Sequence, residues 1–423
     1  MLNLKDLFKS AFSKGLFHLL TSNLLVQFFG FGLILFLTNL LTPSEIGLLK
    51  LIQSYAAFFI VLGSMGYSSS ILKLCSEDVP EKQKNGEFSY ALRMVCKISI
   101  FSVLCFILFS QSYIAMDNPV LADWMSLYSL AVPFSALGYC LIAFLQSQKK
   151  VKEASKAQVI VRLFFVGVIF VSANLWGFEG VIYSAILSYI IGLLLYLPYF
   201  EWRVLTASVI DARKGVINKY SFVVFAGALV TLVSQYSDIY LLNYLGVSVD
   251  VIGFYAIATV FFMAGVAFTG TVQTVLTPYF SEMQHDLSWV RQKTIKYQLI
   301  VSIVSFATAV GLSLLCWLLV KYHYGEQYNL AFEIVLILMV KFWLWSNYSV
   351  IGASLFAIGV VKIGVVVALV CSLVSLLSGY LLYFKYGVYG VALGQVVAYL
   401  VNLVIIYMIF NSRTKYKMGS KAA

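Results

Sequence analysis

Residues 363–410 read IGVVVALVCSLVSLLSGYLLYFKYGVYGVALGQVVAYLVNLVIIYMIF and carry one charge, Lys385. The stretch divides at Tyr386-Gly387 into two apolar runs, 363–384 and 388–410. Each has the length of a helix that crosses the hydrocarbon core of a bilayer, roughly 20 residues. Strands of a membrane barrel alternate apolar and polar residues over about ten positions. These runs are twice as long and apolar on both parities, so they read as helices.

Working back toward the N-terminus, ten more such runs occur: about 16–40, 48–71, 94–113, 121–145, 158–175, 180–200, 220–244, 251–279, 296–320 and 330–356. The composition agrees. The 423 residues are 61% hydrophobic and 11% charged, against about 25% charged in a soluble domain. Such a chain needs lipid as its solvent. The expectation is an all-α integral membrane protein of about twelve transmembrane helices.

The net charge of +11 does not point to nucleic acid, because the basic residues form no single patch. With a cytoplasmic N-terminus, all of the 29 Lys and Arg except Lys50, Lys321, Lys341 and Lys385 fall at the cytoplasmic ends of spans or in the tails. That asymmetry is the positive-inside pattern, and it puts both termini in the cytoplasm. Lys5, Lys9 and Lys14 precede a run with no A-x-A-like cleavage site, which reads as a retained first span. The longest loops, 72–93 and 201–219, are too short for a soluble domain. The six cysteines include no C-x-x-C pair and read as small buried hydrophobes, neither disulfides nor metal ligands.

The chain repeats itself. WGFEGVIYSAILSY (176–189) and YGVYGVALGQVVAY (386–399) share Gly177, Gly180, Val181 and Tyr189 with Gly387, Gly390, Val391 and Tyr399, 210 residues apart. Val151-Lys152 matches Val361-Lys362 at the same offset. LLTPSEIG (40–47) resembles LGVSVDVIG (245–253) at an offset near 206. Chance among common Gly and Val is the bland explanation. The alternative is two six-helix lobes, 1–210 and 211–423, in the same orientation, which rock against each other to alternate access.

LLTPSEIGLLKLIQSYAAFFIVLGSMGYSSSILKL (40–74) is similar to the start of polysaccharide flippases of the Wzx type. The likeness lies in a leucine-rich span, a Pro43-x-Glu45-x-Gly47 turn, and a second span ending in Gly66 and Lys73. FLQSQKKVKEASKAQVI (144–160) resembles the family's glutamine and basic loop, and YSFVVFAGALVTLVSQYSDIYLLNYLG (220–246) its seventh span. That family shares a superfamily with multidrug and toxin extrusion (MATE) transporters and lipid II flippases. The resemblance implies a transporter in the bacterial inner membrane. Its cargo would be an undecaprenyl-pyrophosphate-linked glycan for O-antigen or capsule assembly. The implied partners are membrane lipid, a polysaccharide polymerase and a chain-length regulator. No cofactor is expected beyond H⁺ or Na⁺ as a coupling ion.

An ionisable group at bilayer depth costs about 2.5–3.5 kcal/mol on insertion scales, so each needs a reason. A lipid pyrophosphate is anionic and calls for cations. Lys50 lies early in the second span with Gln53 and Ser54, and the first span offers Asn23 and Gln27. Snorkelling to the interface is the plain alternative for Lys50. Lys341 lies deeper, with Trp345 and Tyr348 on its face, suited to a phosphate-linked sugar. A pair with Glu333, or core packing of the rings, is its alternative. Lys73 and Arg162, near the cytoplasmic interface, could meet the head group or only signal topology. Asp238, with Thr231, Ser234 and Gln235 before it, could carry the coupling ion or make a structural hydrogen bond. Thr269, Gln273 and Thr277 form another polar line, and Gly63, Gly66 and Pro278 are candidate bends. A drug or cation antiporter would want acids rather than lysines in its cavity. A membrane polymerase would want a large external loop and a catalytic cluster, and neither is visible: His18, His285 and His323 are scattered.

Overall fold

The structure, a computed structural model, describes residues 30–33, 35–200, 204, 207–208 and 211–419. Asn23, Gln27 and most of the first expected span lie outside the described residues. Among the described residues every regular element is a helix, and ten helices are long and apolar enough to cross a membrane.

In chain order these elements are α1 (Pro43–Ser64), α2 (Tyr67–Leu74), α3 (Glu81–Phe109), α4 (Pro119–Tyr128), α5 (Ala131–Ser147), α6 (Val151–Tyr196), α7 (Asp211–Tyr244), α8 (Val249–Glu282), α9 (Leu287–Leu319), α10 (Asn329–Ala357), α11 (Val361–Tyr386) and α12 (Val388–Gly419). α3 runs on through a π-turn at Ser110–Ile114 to Asp117. α6 carries the expected spans 158–175 and 180–200 end to end. Its break is Gly177, whose φ of 55° and ψ of −133° are not helical.

The second expected span, 48–71, is shorter than its apolar run. α1 stops at Ser64, and Met65 and Gly66 follow with φ of 41° and 75°. Two consecutive left-handed residues end a helix, and only glycine takes that conformation without cost. α2 then starts afresh at Tyr67.

The internal repeat extends to geometry. Gly387, between α11 and α12, has φ 58° and ψ −137°, almost the values of Gly177. A Cβ on Gly180 would lie 2.1 Å from the Ser172 carbonyl, and one on Gly390 2.2 Å from that of Leu382. The same hairpin-like helix break is thus built twice, 210 residues apart, from a glycine that reverses φ and another that admits a carbonyl.

The chain forms two compact units. One is Leu48–Leu232. Its core joins Tyr67 and Ile71 of α2 to Phe88 of α3, Phe144 of α5, Tyr196 of α6 and Ile217 of α7, with the Phe88 and Phe144 rings stacked at 4.1 Å. Arg213 enters it to meet two carboxylates, donating to Glu87 Oε1 at 2.7 Å and Glu77 Oε2 at 3.2 Å. Glu87 is fully buried. A charge there needs a partner, since a buried lone ion costs several kcal/mol.

The other unit combines residues Met1–Gly47 with Val233–Ala423. α11 and α12 meet backbone to backbone, since a Cβ on Gly394 would lie 2.4 Å from the Gly379 nitrogen. Small residues permit such close helix pairs in lipid. Buried Gln298 of α9 donates to the Ser346 carbonyl at 2.7 Å and accepts from the Val350 amide at 3.1 Å, tying α9 to α10. The outward faces are apolar: Phe101, Leu104 and Leu108 on α3, Leu299, Ile303, Phe306 and Val310 on α9, and Leu373, Leu377 and Leu381 on α11 are exposed at steps of three and four residues. An exposed apolar stripe at helical spacing suits lipid and not water.

Candidate functional site

Lys341 sits twelve residues into α10, about 18 Å from its start at 1.5 Å per residue. It is 5% exposed. The ammonium nitrogen lies 4.3 Å from the Phe262 ring centroid and 5.1 Å from that of Tyr399. Among the described residues no carboxylate lies within ion-pair distance of it. The ring faces therefore supply its local compensation, worth about 2 kcal/mol for a desolvated cation–π contact. That is of the same order as the cost of placing the charge at this depth.

Asp238 of α7 supplies the opposing charge. It lies within electrostatic range of Lys341 and of Tyr399. The carboxylate is 3% exposed and fixed at both oxygens. Tyr255 of α8 donates to Oδ2 at 3.1 Å, and the Ile239 amide donates to Oδ1 at 2.9 Å. Next to it, Ser237 accepts from Gln395 of α12 at 3.1 Å, and Gln395 also donates to Ser375 of α11 at 2.6 Å. Four helices thus converge on one buried polar cluster.

A cage of rings adjoins the lysine. Trp345 is 5.3 Å from Tyr348 and 6.1 Å from Tyr399, and Tyr348 is 6.5 Å from Tyr399. The Trp345 indole N–H donates to Thr269 at 3.0 Å. Asn402 donates to the Tyr348 hydroxyl at 3.0 Å, and its own carbonyl oxygen is buried with no hydrogen-bond partner among the described residues. A buried cation, a fixed carboxylate, flat aromatic faces and an unsatisfied amide oxygen thus share one cluster, a set with both charged and ring-stacking chemistry.

Lys341, Trp345, Tyr348, Thr269 and Asp238 come together here. Gln235 does not join Asp238: it is exposed. Glu333 accepts from the Tyr389 hydroxyl. Lys50 and Gln53 belong to the Leu48–Leu232 unit, where Lys50 is half-buried and Gln53 exposed. Ser54, on the same helix, is buried and donates to the Leu51 carbonyl at 2.8 Å. Lys73 is exposed with its ammonium 4.3 Å from the Tyr220 ring centroid. Arg162 lies over Phe165, and its Nε is buried without a partner among the described residues. Gln273 donates to the Ser349 carbonyl at 3.0 Å.

Sequence reading missed Tyr255, Phe262, Tyr399, Asn402 and Gln395. One signal was present: Tyr255, Phe262 and Thr269 recur every seven residues along α8, so they share a face. Arg213, one of the basic residues of the positive-inside pattern, also pairs with Glu77 and Glu87.

A family model described as "Polysaccharide biosynthesis protein" matches residues 36–333. An inward-facing multidrug resistance MATE family transporter of the MOP superfamily has the same fold, with TM-score 0.72, 13% identity, and coverage of 93% of this chain and 94% of that one. The lipid II flippase MurJ, in an inward closed conformation, gives TM-score 0.71 and 17% identity over 91% of this chain and 86% of its own. An outward-facing MATE transporter gives 0.69 and 14%, over 95% and 96%. No curated protein matches the chain significantly.

Proposed function

This chain belongs to the polysaccharide biosynthesis protein family, and from that premise we propose that it flips undecaprenyl-pyrophosphate-linked oligosaccharide repeat units across the bacterial inner membrane for O-antigen or capsule assembly. Family and fold support a multi-pass membrane transporter rather than an enzyme. The observation that carries the cargo is Lys341, a cation kept at bilayer depth beside aromatic faces. An anionic head group repays its desolvation, and the Trp345, Tyr348 and Tyr399 rings suit the sugars that follow.

Residues 1–210 and 211–423 act as paired six-helix halves, and H⁺ or Na⁺ at Asp238 resets the cycle. A carboxylate held by Tyr255 can exchange a small cation without unfolding its helix. Asp238 also supports a second reading, a drug or cation antiporter. The buried cation Lys341, set among aromatic rings, argues for the anionic cargo.

The test is Lys341→Ala in the native strain, scored by surface polysaccharide and by lipid-linked repeat units left on the cytoplasmic face. The reading expects the first lost and the second accumulated at normal protein level. Unchanged surface polysaccharide refutes it.

A further inference from the structure

A cation-bearing cavity lies in the Leu48–Leu232 unit. It encloses about 480 Å³, and its lining includes Met65, Tyr67, Met94, Asn218, Lys219 and Phe222. That volume is in the range of small-molecule sites. We propose that it is a loading site for the pyrophosphate head and first isoprene unit of a polyprenyl lipid, with Lys219 as the charge partner. The proposal rests on the flippase reading and adds to it a site separate from Lys341.

Four observations carry it. First, the lining mixes one ammonium with a flexible apolar wall, the chemistry of a phosphate joined to a hydrocarbon. Lys219 is exposed, and among the described residues no carboxylate lies within ion-pair distance of it. Met65, Met94 and Phe222 form the apolar side, and methionine adapts to branched chains. Other clefts differ. One of about 530 Å³ along Phe164–Trp176 and one of about 450 Å³ at Trp317 and Trp343 have no charged lining residue.

Second, the amide next to Lys219 is locked in place. The Tyr67 hydroxyl donates to Asn218 Oδ1 at 2.7 Å, and Asn218 Nδ2 donates to the Tyr90 hydroxyl at 3.0 Å. One amide hydrogen of Asn218 stays available for a phosphate oxygen.

Third, the wall is strained. Met65 has φ of 41°, a left-handed conformation that a side-chain-bearing residue seldom adopts. The following Gly66 packs so closely under α7 that a Cβ would lie 2.3 Å from the Ser221 carbonyl. Strain of this kind persists where surrounding structure enforces it, and it concentrates at ligand sites.

Fourth, two more lysines lie against residues next to or bonded to the lining. Lys73 rests 4.3 Å over the ring of Tyr220, the residue after Lys219, and Lys214 lies 6.0 Å from the Tyr90 ring centroid. This is the basic end of the unit, which the positive-inside rule puts at the cytoplasmic face, where a lipid-linked glycan is made.

The test measures binding of undecaprenyl pyrophosphate to the full-length protein in nanodiscs. Phosphatidylglycerol and inorganic pyrophosphate serve as competitors, and Lys219→Ala, Lys219→Arg and Met94→Trp as variants. Removing a charged contact should weaken binding about tenfold or more in Lys219→Ala, with Lys219→Arg close to the parent. Met94→Trp fills the cavity and should do the same. Its melting temperature, and that of Lys219→Ala, should stay near the parent's, which separates a lost site from a lost fold. Inorganic pyrophosphate should compete weakly, and phosphatidylglycerol less still. Parental binding in Lys219→Ala overturns the site, as does equal competition by phosphatidylglycerol. A parent that binds no undecaprenyl pyrophosphate overturns the flippase reading together with the site; a parent that binds while the variants match it overturns the site alone.

Discussion

Gly47 and Gly253, 206 residues apart, are each seated on the other's helix. A Cβ on Gly47 would lie 2.1 Å from the Val249 carbonyl, and one on Gly253 would lie 1.9 Å from the Pro43 carbonyl. Pro43 and Val249 are themselves 206 apart, as are Ser44 and Asp250, whose side chains hydrogen-bond. The contact is therefore reciprocal, as in an isologous interface between identical subunits, but made within one chain. It joins the two stretches, PSEIG and VDVIG, that resemble each other in sequence.

Gly253→Ala should destabilise the protein, because a methyl there meets backbone that cannot rotate away. Overpacking of this kind costs about 1–3 kcal/mol. Gly270→Ala, also in a helix, is the control: nothing lies within 4 Å of its added Cβ. Melting curves of the detergent-purified variants should show a lower midpoint for the first and an equal or higher one for the second. Equal midpoints would contradict the close backbone crossing at Gly253.

Arg213→Met should cost about 3–5 kcal/mol, since it leaves the Glu87 carboxylate buried and unpaired. Glu87→Gln should cost less, because Gln83 still has an oxygen to meet in place of Oε1. The same melting assay ranks them, and a milder loss for Arg213→Met contradicts the pairing.

Asp238→Asn and Lys341→Met should each abolish transport, and their stability effects should not add. Groups that sense one another's charge couple by roughly 0.5–3 kcal/mol. The double variant should therefore melt above the sum of the single losses. Strict additivity would mean that the two charges do not interact.

Cys75 should resist alkylation in the folded protein at pH 8 and react once SDS is added. It is buried, and burial followed by the neighbouring Glu87 charge pushes its thiol well above the ordinary range. The thiolate is the reactive form, so a raised pKa lowers reactivity at any pH beneath it. Mass spectrometry after N-ethylmaleimide treatment reads the site directly; rapid labelling before SDS contradicts the burial.

The helical class was legible because hydropathy marks the spans directly, and among the described residues the apolar runs from 48 onward are built from helix. Local backbone was legible only in part: Gly66 reads as a candidate bend and the helix does break there, but nothing in the run 48–71 marks Met65 as its left-handed partner, since methionine is as apolar as its neighbours. Gly177 and Gly387 were legible as a repeat but not as φ reversals. Lys341 stood out as a charge within an apolar run. Its ring partners did not, because Phe262 and Tyr399 look like any membrane aromatic until the fold brings α8 and α12 to α10. Arg213 and Glu87 are 126 residues apart, so a loop charge and a buried acid looked unrelated.

We infer that the Lys341 ammonium recognises an anionic lipid-linked glycan. The most direct measurement is flipping of undecaprenyl-pyrophosphate-linked repeat units by purified protein in liposomes, comparing the parent with Lys341→Ala and Lys341→Arg. A loss of about tenfold or more is expected with alanine, and partial recovery with arginine, which keeps the charge but not the shape. Parental flipping by a well-folded Lys341→Ala protein would contradict it.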